Sequence, residues 1–225
     1  MAALSYSYDY PHPAVTTDVV LFTIRHARLE ILLIRRGHDP FKGYWALPGG
    51  FVGIDEDLEA CALRELAEET GVRGVYLEQL YTFGKPLRDP RERIITVAYF
   101  ALVAEERCEL RAGSDAADVG RFEVRGLPRL AGDHDQIIAL AHQRLKAKLD
   151  YSTIALQFMP ATFTLSQLQT VYEIILDEPL DKRNFRRKVL SLDCLEDTGE
   201  DTREGTYRPA RLFRVKTPGR VEIIK

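Results

Sequence analysis

Apolar residues along the first two thirds of the chain recur at two different spacings. Residues 17–25 (TTDVVLFTI) and 29–36 (LEILLIRR) are rich in Val, Ile and Leu, and the short break between them predicts a strand hairpin. Residues 37–50 (GHDPFKGYWALPGG) carry Gly and Pro punctuation, which predicts a loop closing in a Pro-Gly-Gly turn. From 57 to 70 the period becomes helical, with Leu58, Cys61, Ala62, Leu66 and Ala67 on one face. Gly71 then stands where a helix C-cap needs a left-handed residue. Strands are expected at about 75–83, 93–103 and 119–124. A closing helix over 134–149 turns Ile137, Ile138, Ala141, Leu145 and Leu149 inward.

Strands around an embedded helix, closed by a second helix, make an α+β pattern over residues 1–149. Residues 150–163 (DYSTIALQFMPATF) contain no Lys, Arg or Glu and predict a connector that packs. Beyond it the rhythm changes. Thr164 and Gln167 form a T-x-x-Q capping box that opens a helix over LSQLQTVYEIIL. A turn at 177–180, a second helix at about 181–191, a polar stretch centred on Gly205 and the strand-like ARLFRVK follow. Helix, turn, helix and a two-stranded wing predict a winged helix-turn-helix over 150–225.

Composition changes this picture little. The chain has 225 residues, 45% of them hydrophobic and 29% charged, which excludes wholesale disorder and a disulfide scaffold. The three cysteines, Cys61, Cys108 and Cys194, form no CxxC pair, so no zinc site is suggested. No stretch approaches a membrane span and Met1–Val15 lacks secretory character, so a cytoplasmic protein without a membrane partner is expected. Net charge is −3, and it is unevenly divided. Residues 1–150 carry 19 Lys and Arg against 23 Asp and Glu, and residues 151–225 carry 12 against 11.

The acids are arranged. Gly50 precedes Glu56, and then comes Arg64-Glu65-Leu66-Ala67-Glu68-Glu69-Thr70-Gly71-Val72. Glu65, Glu68 and Glu69 are related as i, i+3 and i+4, so three carboxylates share a helix face. Like charges at that spacing repel, and the last turns of a helix favour cations rather than anions. A divalent cation reverses both penalties, and Mg2+ takes hard oxygen ligands. The bland alternative is a solvated acidic face.

The whole stretch resembles the Nudix box, G-x5-E-x7-R-E-U-x-E-E-x-G-U with U apolar, at every fixed position. The resemblance implies an α/β/α sandwich around a mixed sheet, with a loop-helix-loop that holds Mg2+ or Mn2+ against a pyrophosphate. It implies Glu65, Glu68 and Glu69 as metal ligands, completed by the Gly50 carbonyl, with Arg64 orienting the cluster and Glu56 bracing the loop. Glu68 is the first candidate for the general base, and Asp115 and Asp118 stay open. Arg35 and Arg36 are candidates to clamp phosphate, and Trp45 to stack on adenine or serve as a core aromatic. Pro86, fifteen residues after Gly71, resembles a proline of ADP-ribose-hydrolysing members.

The bases are arranged too. Lys182-Arg183-Asn184-Phe185-Arg186-Arg187-Lys188 holds five positive charges in seven residues. Phe185, Val189 and Leu192 fall on one face and leave Lys182, Arg183, Asn184, Arg186, Arg187 and Lys188 outward, in the helix that enters the major groove. Arg and Asn read guanine and adenine edges. Arg203, Arg208, Arg211 and Arg214 follow in the wing, where phosphate contacts are expected. A Nudix domain followed by this segment resembles the Nudix-related transcriptional regulators, the NrtR family. That resemblance implies a homodimer that binds double-stranded DNA, often at genes of NAD metabolism, and releases it on binding ADP-ribose. Members often carry a degraded box and bind without cleaving. The box here is intact, so the expectation is an Mg2+-dependent hydrolase of ADP-ribose, yielding AMP and ribose 5-phosphate, coupled to a DNA-binding domain. The alternative is an ADP-ribose-responsive repressor with little hydrolysis.

Overall fold

The computed structural model describes residues 8–108, 110, 116–202 and 209–224. The N-terminal strands are β1 (Ala14–Arg25), β2 (Arg28–Arg36), β3 (Trp45–Ala46) and β4 (Gly49–Phe51), followed by helix α1 (Leu58–Thr70). Strands β5 (Tyr76–Phe83), β6 (Ile94–Leu102) and β7 (Ala116–Glu123) precede helix α2 (His134–Tyr151). The C-terminal segment holds β8 (Phe163–Thr164), α3 (Leu165–Leu176), α4 (Lys182–Ser191), β9 (Leu195–Asp201) and β10 (Arg211–Val215).

The first seven strands form one mixed sheet in the order β3-β2-β1-β6-β5, with β4 on β1 and β7 on β2. β1 runs antiparallel to β2 and parallel to β6. β1 is central and buried on both sides, which is why its sequence is a continuous apolar run rather than an alternation. Val19 and Leu21 face α1 together with Leu32, Ala62, Leu66 and Val97. Val20 and Phe22 face the opposite layer, where Ile137, Ala141, Leu145 and Leu149 of α2 pack. Each such fully buried aliphatic side chain contributes about 1.5–3 kcal/mol. The sheet thus lies between two helical layers, as the resemblance implies.

The helix ends follow local chemistry. The Asp57 side chain accepts from Glu59 N to start α1, and Gly71 ends it at φ 79° with its N–H on the Ala67 carbonyl. The capping box of α3 is closed in both directions between Thr164 and Gln167. α3 and α4 pack through Tyr172 and Phe185, edge to face with centroids 5.2 Å apart. The small antiparallel sheet β8-β10-β9 completes the winged unit.

One finding departs from the pattern-based expectation. The span read as a loop over 37–50 contains β3 and the start of β4, strands too short to show alternation. The connector packs as expected, through a 3-10 turn at Ile154–Phe158 that buries Ile154, Ala155, Leu156 and Phe158. Asp115, Arg203, Gly205 and Arg208 lie outside the described residues.

Candidate active site and nucleic-acid interface

β4 pairs with β1 so that Gly50 faces Thr17 and Gly49 faces Asp18, and the glycines meet Glu65 and Glu69 in the last turns of α1. Arg64 is the hub there. Its guanidinium grips Glu56 bidentately, Nε to Oε1 at 2.7 Å and Nη2 to Oε2 at 2.8 Å. Its Nη1 donates to Glu65 Oε1 at 2.7 Å and to Glu68 Oε2 at 3.2 Å. The Arg64 hydrogen bonds, aided by the Gly53 N–H, hold the Glu56 carboxyl down to about 2. Glu56 thus fastens the loop to the helix, and Arg64 keeps two further carboxylates side by side.

The carboxylates do not share one environment. Glu65 and Glu69 line a cavity of about 430 Å³ together with Gly49 and Gly50. A side chain on Gly50 would start 2.3 Å from Glu65 Oε1, so only glycine lets that carboxylate lie on the backbone. Glu69 accepts from Gly49 N at 2.9 Å, and burial pushes its carboxyl up to about 8. Glu68 is outside this cavity, with its side chain 59% exposed.

The opposite wall was not anticipated. Asp18, Arg88, Asp89, Arg91, Asp133 and His134 line it. Asp18 is buried, accepts from Thr96 Oγ1 at 2.6 Å and lies 3.8 Å from Arg88. Arg88 grips Asp133 through Nε at 3.0 Å and Nη2 at 2.6 Å, and Arg91 is paired with Asp89 at 2.8 Å. His134 Nδ1 accepts from Leu47 N at 2.8 Å, so that nitrogen carries no proton. The sequence offered one signal for this wall: Asp18 is a carboxylate inside an apolar strand.

Arg36 reaches the same cavity; Arg35 and Trp45 do not. Arg36 donates Nε to Pro40 O at 2.8 Å, and burial lowers its pKa, with Arg91 adding to the effect. No carboxylate pairs with it among the described ion pairs. Arg35 is exposed and donates to Gly43 O at 3.4 Å. Trp45 packs edge to face on Phe122, with centroids 4.6 Å apart. Asp118 is exposed and caps its own neighbour, Val119 N.

Among the described residues no group of three or more His, Cys, Asp and Glu side chains is gathered to hold a metal ion. The residues present nevertheless fit one of the hard divalent cations. Mg2+ is commonly held by one or two carboxylates with phosphate and water completing its shell. Glu65 on its glycine cradle and the partly buried Glu69 supply that number, and none of the described ion pairs involves Glu69.

In the winged unit, Phe185 and Val189 are buried and Lys182, Arg183, Asn184, Arg186, Arg187 and Lys188 are all exposed. Asp181 caps the helix by accepting from Asn184 N at 2.8 Å. The wing differs. Arg211 pairs with Asp197 at 3.1 Å, Arg214 with Glu196 at 2.9 Å and Lys216 with Asp193 at 2.6 Å. No described helix is long and apolar enough to cross a membrane.

Comparison with known proteins agrees with both halves. Residues 12–141 match the NUDIX domain family, and residues 155–215 match the NrtR DNA-binding winged helix domain. The chain is 41% identical over 209 residues to the ADPR responsive transcriptional repressor NtrR of Acinetobacter baylyi, covering 92% of this chain and 83% of the relative. It is 41% identical over 129 residues to an ADP-ribose pyrophosphatase of Methanocaldococcus jannaschii, covering 57% of this chain and 73% of the relative. The crystal structure of Shewanella oneidensis NrtR complexed with a 27mer DNA superposes with a TM-score of 0.81 at 40% identity, covering 90% of this chain and 93% of that one.

Proposed function

Because the chain belongs to the NUDIX family and carries an NrtR-type winged helix domain after it, we propose that it is an ADP-ribose-responsive DNA-binding repressor. Residues 1–149 form the ligand-binding unit and 150–225 the DNA-binding unit, acting as a homodimer in the cytoplasm. The observation that carries this reading is the likeness to an ADPR-responsive repressor across both units, 92% of the chain. Arg36 is the cavity's phosphate ligand: Nε is anchored on Pro40 O, which leaves the two Nη groups for an anion. Arg88 and the α2 N-terminus stand on the same wall.

A second reading, that the protein also cleaves ADP-ribose to AMP and ribose 5-phosphate, is favoured by the complete box. Glu65 and Glu69, with Gly50, would hold Mg2+ or Mn2+. The cation, when bound, supplies charge neutralisation on the pyrophosphate and a more acidic water. Arg64 fixes Glu65 and Glu68, and Glu56 fixes Arg64. Glu68, exposed beside Arg64, is the candidate to accept the proton of the attacking water.

Both readings are tested on full-length protein. Its affinity for duplex DNA from its own upstream region should fall when ADP-ribose is added. AMP release in Mg2+ should be measurable and drop sharply in Glu69→Gln, which removes one of the carboxylates proposed to hold the cation. DNA binding indifferent to ADP-ribose overturns the first reading. No AMP release, or an equally fast variant, overturns the second.

A further inference from the structure

The cations of the winged unit fall into two populations. Those described on β10 and just after it are spent on acids: Arg211 on Asp197, Arg214 on Glu196 and Lys216 on Asp193. None of the five on α4 has a carboxylate partner among the described ion pairs. The wing's strand arginines are therefore neutralised from within, and a polyanion meets free positive charge on α4.

α4 itself is divided. Lys182 and Arg186, one turn apart, lie on its flank toward the wing. They line a concavity of about 620 Å³ with Ser166 and Arg211, and Arg186 Nη2 stands 3.4 Å from Ser166 Oγ. The Arg187 side chain lies on the other flank, where it lines a separate cavity of about 750 Å³ with Asn184 and Lys188 and stays exposed. There its Nη2 donates to Asn184 Oδ1 at 3.1 Å. That bond occupies the oxygen that Asn184 would need to pair with adenine. It also holds one edge of the Arg187 guanidinium and leaves the remaining donors free.

We propose that α4 divides its labour: Arg187, positioned by Asn184, reads a guanine in the major groove, while Lys182 and Arg186, beside Ser166, clamp a backbone phosphate. This rests on the DNA-binding function proposed above. Guanine offers O6 and N7 as adjacent acceptors, which match the forked donors of arginine and not the point charge of lysine. A phosphate accepts from any cation, so the flank pair needs only charge and reach. Asn184 is a positioning residue, acting through Arg187.

The test selects duplexes from a random-sequence library with the full-length protein. Affinities for the selected duplex and a scrambled one are then measured over a range of salt. Lys182→Ala and Arg186→Ala should weaken both duplexes alike and each reduce the slope of log K against log salt by about 1 per protomer of the homodimer. Arg187→Ala should weaken the selected duplex about tenfold or more relative to the scrambled one and lose one guanine from each half-site of the selected sequence. Arg187→Lys should keep the salt slope yet lose the same guanine. Asn184→Ala should blur that guanine with a smaller loss. If Arg187→Ala selects the wild-type sequence, or Arg186→Ala changes the ratio between duplexes, the division is wrong. If the wild type selects no sequence at all, the DNA-reading function itself fails. Circular dichroism of each variant, matched to wild type, shows that the exposed substitutions leave the fold intact.

Discussion

The cavity under α1 and the surface of α4 are both crowded with charge, and they manage it in opposite ways. In the cavity, Arg64 is bound to Glu56, Glu65 and Glu68, Arg88 to Asp133, and Arg91 to Asp89. On α4, Lys182, Arg183, Arg186, Arg187 and Lys188 are exposed, and none has an acid partner among the described ion pairs. The first arrangement spends charge on geometry: partly buried, forked pairs fix where each carboxylate lies. The second stores charge for a partner that brings its own anions and sheds its counterions on contact. One site is shaped before its ligand arrives, and the other acquires its partners on binding.

Salt breaks the comparison most strongly. If the two α4 helices of the homodimer together neutralise about four phosphates, DNA affinity should fall on the order of 10²–10³-fold between 50 and 200 mM salt. ADP-ribose affinity, measured by calorimetry over the same range, should change less than about tenfold, because most of the cavity's charges are paired within the protein and Arg36 is partly buried from the screening salt. Equal sensitivity at the two sites would mean that they are not built differently.

A smaller effect comes from removing shape while keeping charge. Arg64→Lys retains the cation but not the fork that spans Glu56 and Glu65. AMP release should fall about 10–100-fold, the usual cost of losing a group that orients metal ligands. DNA affinity without ADP-ribose should stay at the wild-type level. An unchanged hydrolysis rate would show that charge alone organises the box.

The same contrast explains what was legible in the sequence. Both sites announce themselves where their residues are close in the chain. Glu65, Glu68 and Glu69 are set by helix spacing, and the basic residues of α4 by one amphipathic turn after another. The inward faces of α1 and α2 were equally readable, since Ile137, Ile138, Ala141, Leu145 and Leu149 are all buried at helical period. The far wall of the cavity was not readable. Asp18 in β1, Arg88 after β5 and His134 at the start of α2 meet only because β1 is central and α2 closes the sheet, and no local spacing encodes that. Trp45 shows the reverse limit. Near the box in sequence, it is turned by β3 onto Phe122 instead. Wing pairing was also out of reach, because Arg211 and Arg214 find their acids across β9 rather than along β10.

The weakest expected effect probes that unforeseen wall. The His134 side chain is only 14% exposed, and this partial burial lowers its pKa below the ordinary value, although Asp18 at 4.0 Å favours the charged form. Arg88 and Arg36 face it with opposing sign, and Asp133 stands beside it. Its Nδ1 must stay unprotonated to accept the Leu47 N–H. With the folded pKa below the unfolded one, the unfolded chain takes up a proton that the folded chain refuses. Stability from this group is therefore complete above about pH 6.5 and is lost as pH falls below it. Lowering the pH from 7.5 to 5.5 should therefore lower the melting temperature of the wild type through this group. His134→Asn can still accept from Leu47 N but does not titrate. The melting-temperature gap between wild type and variant should therefore narrow from pH 7.5 to 5.5. A gap that stays constant would mean that the imidazole is not held neutral and that Asp18, rather than burial, governs its charge.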